Sequence, residues 1–305
     1  MPQNIPLALL IGLVATVLLA MSATVQHGAV GQQKSDGGSL GGAQLAALLR
    51  SPRWWVGMLL GGVGSVLQLI AVLLAPITVV QPLGILAVPW TVLMASRVGG
   101  HRIPGRAWAA VAIVVAGASW FSYVAASHAA DQEVLDDTRL VSGTLVAFAI
   151  AGVLALVGTK GPEPWRCVSW AAAAGVIYAL ETGMVKAMGE FVATRDWWVS
   201  GTFRLLAVLL PLGVVLAVVF VQQAYATGPA EVVVGSLNAV LPVCAVTFGV
   251  AVLGEGENIT ATAGLAMAVA ATLSICGVIL LSRFHPGAGS SSSAGETSAA
   301  SPAAS

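Results

Sequence analysis

Apolar runs of about 20 residues recur along almost the whole of this sequence, and that length restricts the fold more than any other feature. A bilayer core is ~30 Å thick, so a helix rising about 1.5 Å per residue needs about 20 residues to cross it. About nine such runs occur, at 5–25, 54–74, 77–96, 107–126, 140–158, 167–188, 203–221, 230–253 and 260–281. Hydrophobic residues make up 57% of the chain and charged residues only 9%, against about 25% charge in a soluble domain. The expected fold is therefore an all-α polytopic membrane protein. The stretch 54–96 is far too long for one crossing and is divided at Ala75-Pro76.

The same inventory excludes several function classes. A net charge of zero gives no footprint for nucleic acid. There is no His-Glu-x-x-His pair, no Gly-x-Ser-x-Gly elbow and no phosphate-binding Gly-x-x-x-x-Gly-Lys-Ser/Thr loop, so neither an enzyme nor a cofactor is expected. Cys167, Cys244 and Cys276 lie in or beside apolar segments without metal-ligand spacing and read as small core residues. The start, Met1-Pro2-Gln3-Asn4, lacks the basic flank of a secretory signal, so the first run is read as a retained span. The segment 284–305, mostly Ser, Ala, Gly and Pro, reads as a disordered cytoplasmic tail. Residues 43–49 read as a short interfacial helix.

Loop charges orient the chain. Lys34, Arg50 and Arg53 flank the first loop, Arg97, Arg102 and Arg106 follow the third span, Lys160 and Arg166 the fifth, and Arg283 the last. The alternate loops carry Asp131, Glu133, Asp136 and Asp137 with Arg139, then Asp196 with Arg195, then Glu255 and Glu257. Basic loops stay cytoplasmic. The N-terminus is thus expected outside and the C-terminus inside, in the plasma or inner membrane.

A proline-punctuated stretch occurs twice, at 75–89 and 228–242. At one constant offset Pro76 falls on Pro229, Val79 on Val232, Val80 on Val233 and Pro89 on Pro242, while Pro82 becomes Gly235. Pro82, Gly84 and Gly235 are hostile to a straight helix, so these seven positions, the four prolines at the ends included, are candidate helix breaks or gates. Counted along the spans, the two copies run in opposite directions, which is the pattern of an inverted repeat. Residues 1–139 form the first repeat, with four spans, and 140–283 the second, with five.

Polar groups inside spans need a reason, because a charge at the bilayer centre costs about 2.5–3.5 kcal/mol on insertion scales. Glu181 falls about 14 residues, or ~21 Å, from the inner end of its span. Gln68 and Gln81 fall at similar depth, and Tyr178 lies one turn before Glu181. These side chains are expected to line one cavity. Glu181 is read either as a substrate, cation or proton site or as a structural group bonded within the bundle. Glu231, just after Pro229, fits helix capping better than gating. Asn238 and Ser236 either bond backbone near Gly235 or touch substrate. Lys186 and Arg204 snorkel outward, and Trp54, Trp55, Trp165, Trp197 and Trp198 form an interfacial belt.

Trp54-Trp55, Ala75-Pro76 and Pro82-Leu83-Gly84 together resemble the drug/metabolite transporter superfamily (EamA-like fold), and within it the NIPA-type magnesium transporter branch. Val185-Lys186-Ala187-Met188-Gly189 and Gln222-Gln223-Ala224-Tyr225 echo that branch more loosely, and Leu253-Gly254-Glu255 is similar to a Gly-Glu turn of the superfamily. The resemblance implies a ten-helix inverted repeat lacking one helix of the first half. It implies alternating-access transport of a small solute or cation, with Mg2+ or another divalent cation the substrate of the branch. The alternatives are a metabolite or drug exporter and a non-transporting scaffold, and a homodimer is compatible with each. One departure concerns substrate. The branch carries an acid after a glycine in the second helix and an asparagine three residues on, where this chain has Gly64-Ser65 and Gln68. Ser65 and Gln68 therefore stand as candidate binding positions without the carboxylate that a hard dication prefers.

Overall fold

The computed structural model describes residues 5–33, 39–74, 83–99, 104–128, 136–194, 197–254 and 259–283. The described residues form ten longer helices and no strand. In chain order these are α1 (Ile5–Gln33), α2 (Gly42–Leu48), α3 (Pro52–Leu74), α4 (Ala87–Gly99), α5 (Gly105–Ser127), α6 (Asp137–Lys160), α7 (Glu163–Thr194), α8 (Gly201–Thr227), α9 (Ala230–Val252) and α10 (Ala261–Arg283). Seven of them, α1 and α5 to α10, are long and apolar enough to cross a membrane. The chain is a polytopic α-helical membrane protein. The short helix expected near residue 43 is α2.

Local signals fix several helix ends. Asp136 caps α6 by accepting from the Thr138 and Arg139 amides, and Ser200 caps α8 by accepting from Phe203 N–H. Both supply an oxygen to amides that lack an intrahelical partner. Pro229 stands immediately before α9 in extended geometry, φ −74° and ψ 151°, and Glu231 lies in the first turn, where a carboxylate complements the helix dipole. Gly254, at φ 75°, ends the turn after α9 in a conformation that suits glycine.

Helices in lipid gain little from apolar burial against one another, so close approach through small residues holds them. α3 lies along α1 on a glycine face. Gly57 meets the Gln26 side chain, Gly61 meets Ser22, and Gly64 meets Leu19 and the Ala15 carbonyl. α5 and α10 approach reciprocally, Gly117 against Ser274 and Ala270, and Gly277 against Val114. Gly158 of α6 lies under the Trp170 ring of α7, and Gly183 of α7 under Phe248 of α9. α7 is the most enclosed of the seven apolar helices and α6 the least. α7 packs against α6, α8 and α9, while α4 bridges α1 and α9.

The helix-break expectation is corrected in the second half. α9 continues through both Gly235 and Pro242. Gly235 is buried, and a Cβ there would make ordinary van der Waals contact, 3.5 Å from Leu281 and 3.8 Å from Val278 of α10, so the glycine neither breaks the helix nor is demanded by a close approach. Ser236 and Asn238 bond carbonyls of their own helix, at Val232 and Val234. In the first half, a turn at Ile85-Leu86 separates Gly84 from α4, with Leu86 N–H bonded to Leu83 O at 2.9 Å. Pro89 falls in the first turn of α4, where a missing N–H costs little. Pro76, Gln81 and Pro82 lie outside the described residues, as do Asp131, Glu133, Glu255, Glu257 and the tail.

Candidate functional site

The densest buried polar assembly lies where α1 and α8 end and α3, α7 and α9 begin. Ser22 and Gln26 stand one turn apart on α1 and so share a face. Ser22 Oγ donates to the Gly57 carbonyl of α3 at 2.7 Å, and Gln26 Nε2 donates to Ser22 Oγ at 2.8 Å. Gln222 of α8 then donates from Nε2 to Gln26 Oε1 at 2.7 Å. The chain of bonds therefore joins α3 and α1 to α8. All three side chains are buried, Gln222 to 2% exposure. Gln222 Oε1 is buried with no hydrogen-bond partner among the described residues. An acceptor left open in this way stands ready for an N–H or O–H donor.

Neighbouring residues extend the assembly. The His27 ring meets Tyr225 edge-on, 6.1 Å between centroids. Gln223 pairs its whole amide with one backbone residue, accepting from Leu40 N–H at 2.6 Å and donating to Leu40 O at 2.8 Å. Trp170 Nε1 donates to Ser39 Oγ at 3.3 Å. Residues 39–40 are thereby clipped across α8 and α7. Gly228 packs on Cys167, leaving no room for a side chain between α8 and the start of α7.

Glu181 occupies a second locus. It lies on α7 and faces α8, where a Cβ on Gly213 would be 3.5 Å from both its Cγ and its Oε1. Its Oε1 is buried with no hydrogen-bond partner among the described residues. Tyr178 lies one turn earlier on the same helix. Gln68 sits elsewhere, with its Nε2 3.7 Å from where a Gly84 side chain would begin and its Oε1 likewise buried and unbonded. Its helix, α3, lies on α1, whereas Glu181 is held between α7 and α8. Ser65 is exposed on α3, and Gln81 is outside the described residues.

The chemistry of the Ser22–Gln26–Gln222 assembly is that of neutral amides and hydroxyls. These offer donors and acceptors to a polar solute without a net charge. Among the described residues no three His, Cys, Asp or Glu side chains group as metal ligands. The sequence alone did not single out Ser22, Gln26 or Gln222 as a set. The available signal was the run Gln222-Gln223 ending an otherwise apolar helix, together with Gln26-His27 at the end of the first.

The fold and its buried polar groups define an integral membrane protein with hydrogen-bonding residues enclosed between its helices. Over 290 residues the chain is 23% identical to an uncharacterized protein of Corynebacterium glutamicum, a match covering 92% of this chain and 96% of the relative. No family model and no solved structure matches.

Proposed function

We propose that this chain is a secondary transporter of the drug/metabolite transporter kind that moves a small polar solute by alternating access. The observation that carries the reading is the buried Ser22–Gln26–Gln222 chain, which links helices of the first half to one of the second. Polar groups enclosed within a membrane bundle are costly and mark solute or ion pathways. A structural bridge alone would have no use for the open acceptor on Gln222.

The packing also supports an inverted repeat of about nine spans, counting α3 and α4 with the seven. α1 lies along α3 as α7 lies along α8, and each pair presses a polar side chain onto a glycine, Gln26 on Gly57 and Glu181 on Gly213. α4 meets α9, and α5 meets α10, as repeat partners would across a two-fold axis. α6 is then the extra helix of the second half.

For substrate, the neutral donors and acceptors around Gln222 favour an uncharged or zwitterionic organic solute. A divalent cation such as Mg2+ remains the second reading, with Glu181 a carboxylate held between α7 and α8. The test is reconstitution into proteoliposomes containing an entrapped magnesium indicator, in parallel with counterflow of solutes chosen by thermal-shift screening. Solute counterflow abolished by Gln222→Leu supports the first reading, and indicator signal abolished by Glu181→Gln supports the second. Absence of both, in protein that is folded and inserted, overturns transport and leaves a membrane scaffold.

A further inference from the structure

We propose that the groove between α6, α7 and α9 holds one acyl chain of an ammonium-bearing phospholipid, with the lipid phosphate at Arg139. The groove has a volume of about 370 Å3, within the range of small-molecule sites. Its floor is apolar and enclosed, formed by Leu180 of α7 and Phe248 of α9. Its rim is open sideways, because Val146 and Ile150 of α6 line it while remaining 57% and 48% exposed. In a spanning helix that exposure faces lipid, so an occupant enters from the bilayer.

Length and charge select the occupant. Arg139 and Ile150, at the two ends of the α6 wall, are separated by about 16 Å of helix, close to the ~15 Å of one leaflet. The trough thus runs from the interface to the midplane, the path of a single acyl chain. At the interfacial end the Arg139 Nε is 4.0 Å from Asp136 Oδ2, and both side chains are more than half exposed. Asp137 stands beside them, with its Oδ2 accepting from Thr202 at 2.8 Å. Among the described residues, Arg139, Asp136 and Asp137 together carry a net charge of −1 (+1 − 2) at this mouth. A head group with both phosphate and ammonium matches that arrangement, the phosphate on the guanidinium and the ammonium toward the acids. A head group carrying only negative charge does not. The inference does not depend on transport.

The test is native mass spectrometry of the full chain released from nanodiscs containing equal phosphatidylethanolamine and phosphatidylglycerol. One phosphatidylethanolamine should persist after the other lipids are stripped. Arg139→Gln should weaken its retention about tenfold, and Thr247→Trp, which fills the groove from an exposed position, should abolish it. Cys244 lies in the groove, so in protein carrying Cys167→Ala and Cys276→Ala its maleimide labelling should be slower in phosphatidylethanolamine than in phosphatidylglycerol. Equal or greater retention of phosphatidylglycerol, or equal retention by all three proteins, overturns the proposal. If a variant misfolds, the labelling comparison decides, and equal rates in the two lipids overturn it.

Discussion

Gln222 Nε2 lies 2.7 Å from Gln26 Oε1, across 196 residues of sequence. The two amides meet because Gln26 is held from behind by Ser22, which is itself held by the backbone of α3 at Gly57. Removing either glutamine leaves the other with a buried polar group unbonded. Gln26→Leu and Gln222→Leu should each destabilise by about 1–3 kcal/mol. The double variant should lose less than the sum, with a coupling of about 0.5–2 kcal/mol. Unfolding of the four proteins in detergent measures the cycle, and strict additivity would mean that the bond is absent in solution.

Glu181→Gln should separate function from structure. Glu181 Oε1 has no hydrogen-bond partner among the described residues, and glutamine keeps its shape. The expected stability change is within about 1 kcal/mol, with cation flux or its proton coupling lost. A fall in thermal midpoint with transport per folded molecule retained would make Glu181 structural.

Glycine positions differ sharply in what they tolerate. A Cβ on Gly117 would meet Ser274 Oγ at 2.5 Å and the Ala270 carbonyl at 2.9 Å, whereas Gly264 has open space. Gly117→Val should push α5 from α10 and cost about 1–3 kcal/mol. Gly264→Ala should be neutral or stabilise by up to about 1 kcal/mol through helix propensity. Thermal unfolding of the two variants side by side checks the contrast.

The amide clamp between Gln223 and Leu40 should protect one backbone N–H that belongs to no helix. Gln223→Leu should raise hydrogen exchange at Leu40 at least tenfold, since the lost bonds amount to about 1–3 kcal/mol of local opening free energy. Peptide-resolved exchange over residues 39–48 measures it, and unchanged protection would show that other contacts hold the segment.

Orientation is tested at the two ends of α7. Glu163 begins that helix and Trp198 follows its end, and α7 is 32 residues long, so the two lie about 45 Å apart along it. In intact cells Trp198→Cys should react with an impermeant maleimide and Glu163→Cys should not. The reverse pattern would invert the topology.

Much of the fold was legible because a bilayer imposes a length and denies the backbone any partner but itself. Pro229 marked a helix start that the structure bears out, whereas the caps at Asp136 and Ser200 came to light only in the structure. Gly235 misled, because a glycine's low helix propensity is about 1 kcal/mol and is overridden where the rest of the helix is held by its neighbours, as in α9. The candidate site was only half visible. Glu181 drew attention as a lone intramembrane acid, while Gln222 was noted only within a family resemblance and its pairing with Gln26 was not foreseen.

Composition and apolar run length by themselves determined that this chain is helical and spans a membrane repeatedly. Those properties depend on each segment's own transfer from water to lipid, which local sequence sums. The meeting of Gln26 with Gln222, the setting of Glu181 against Gly213 rather than beside Gln68, and the groove under Arg139 were decided by tertiary structure alone. They depend on which helix faces touch. In lipid that choice is made by glycine-sized gaps and hydrogen bonds between distant helices, and no single segment encodes both sides of such a contact.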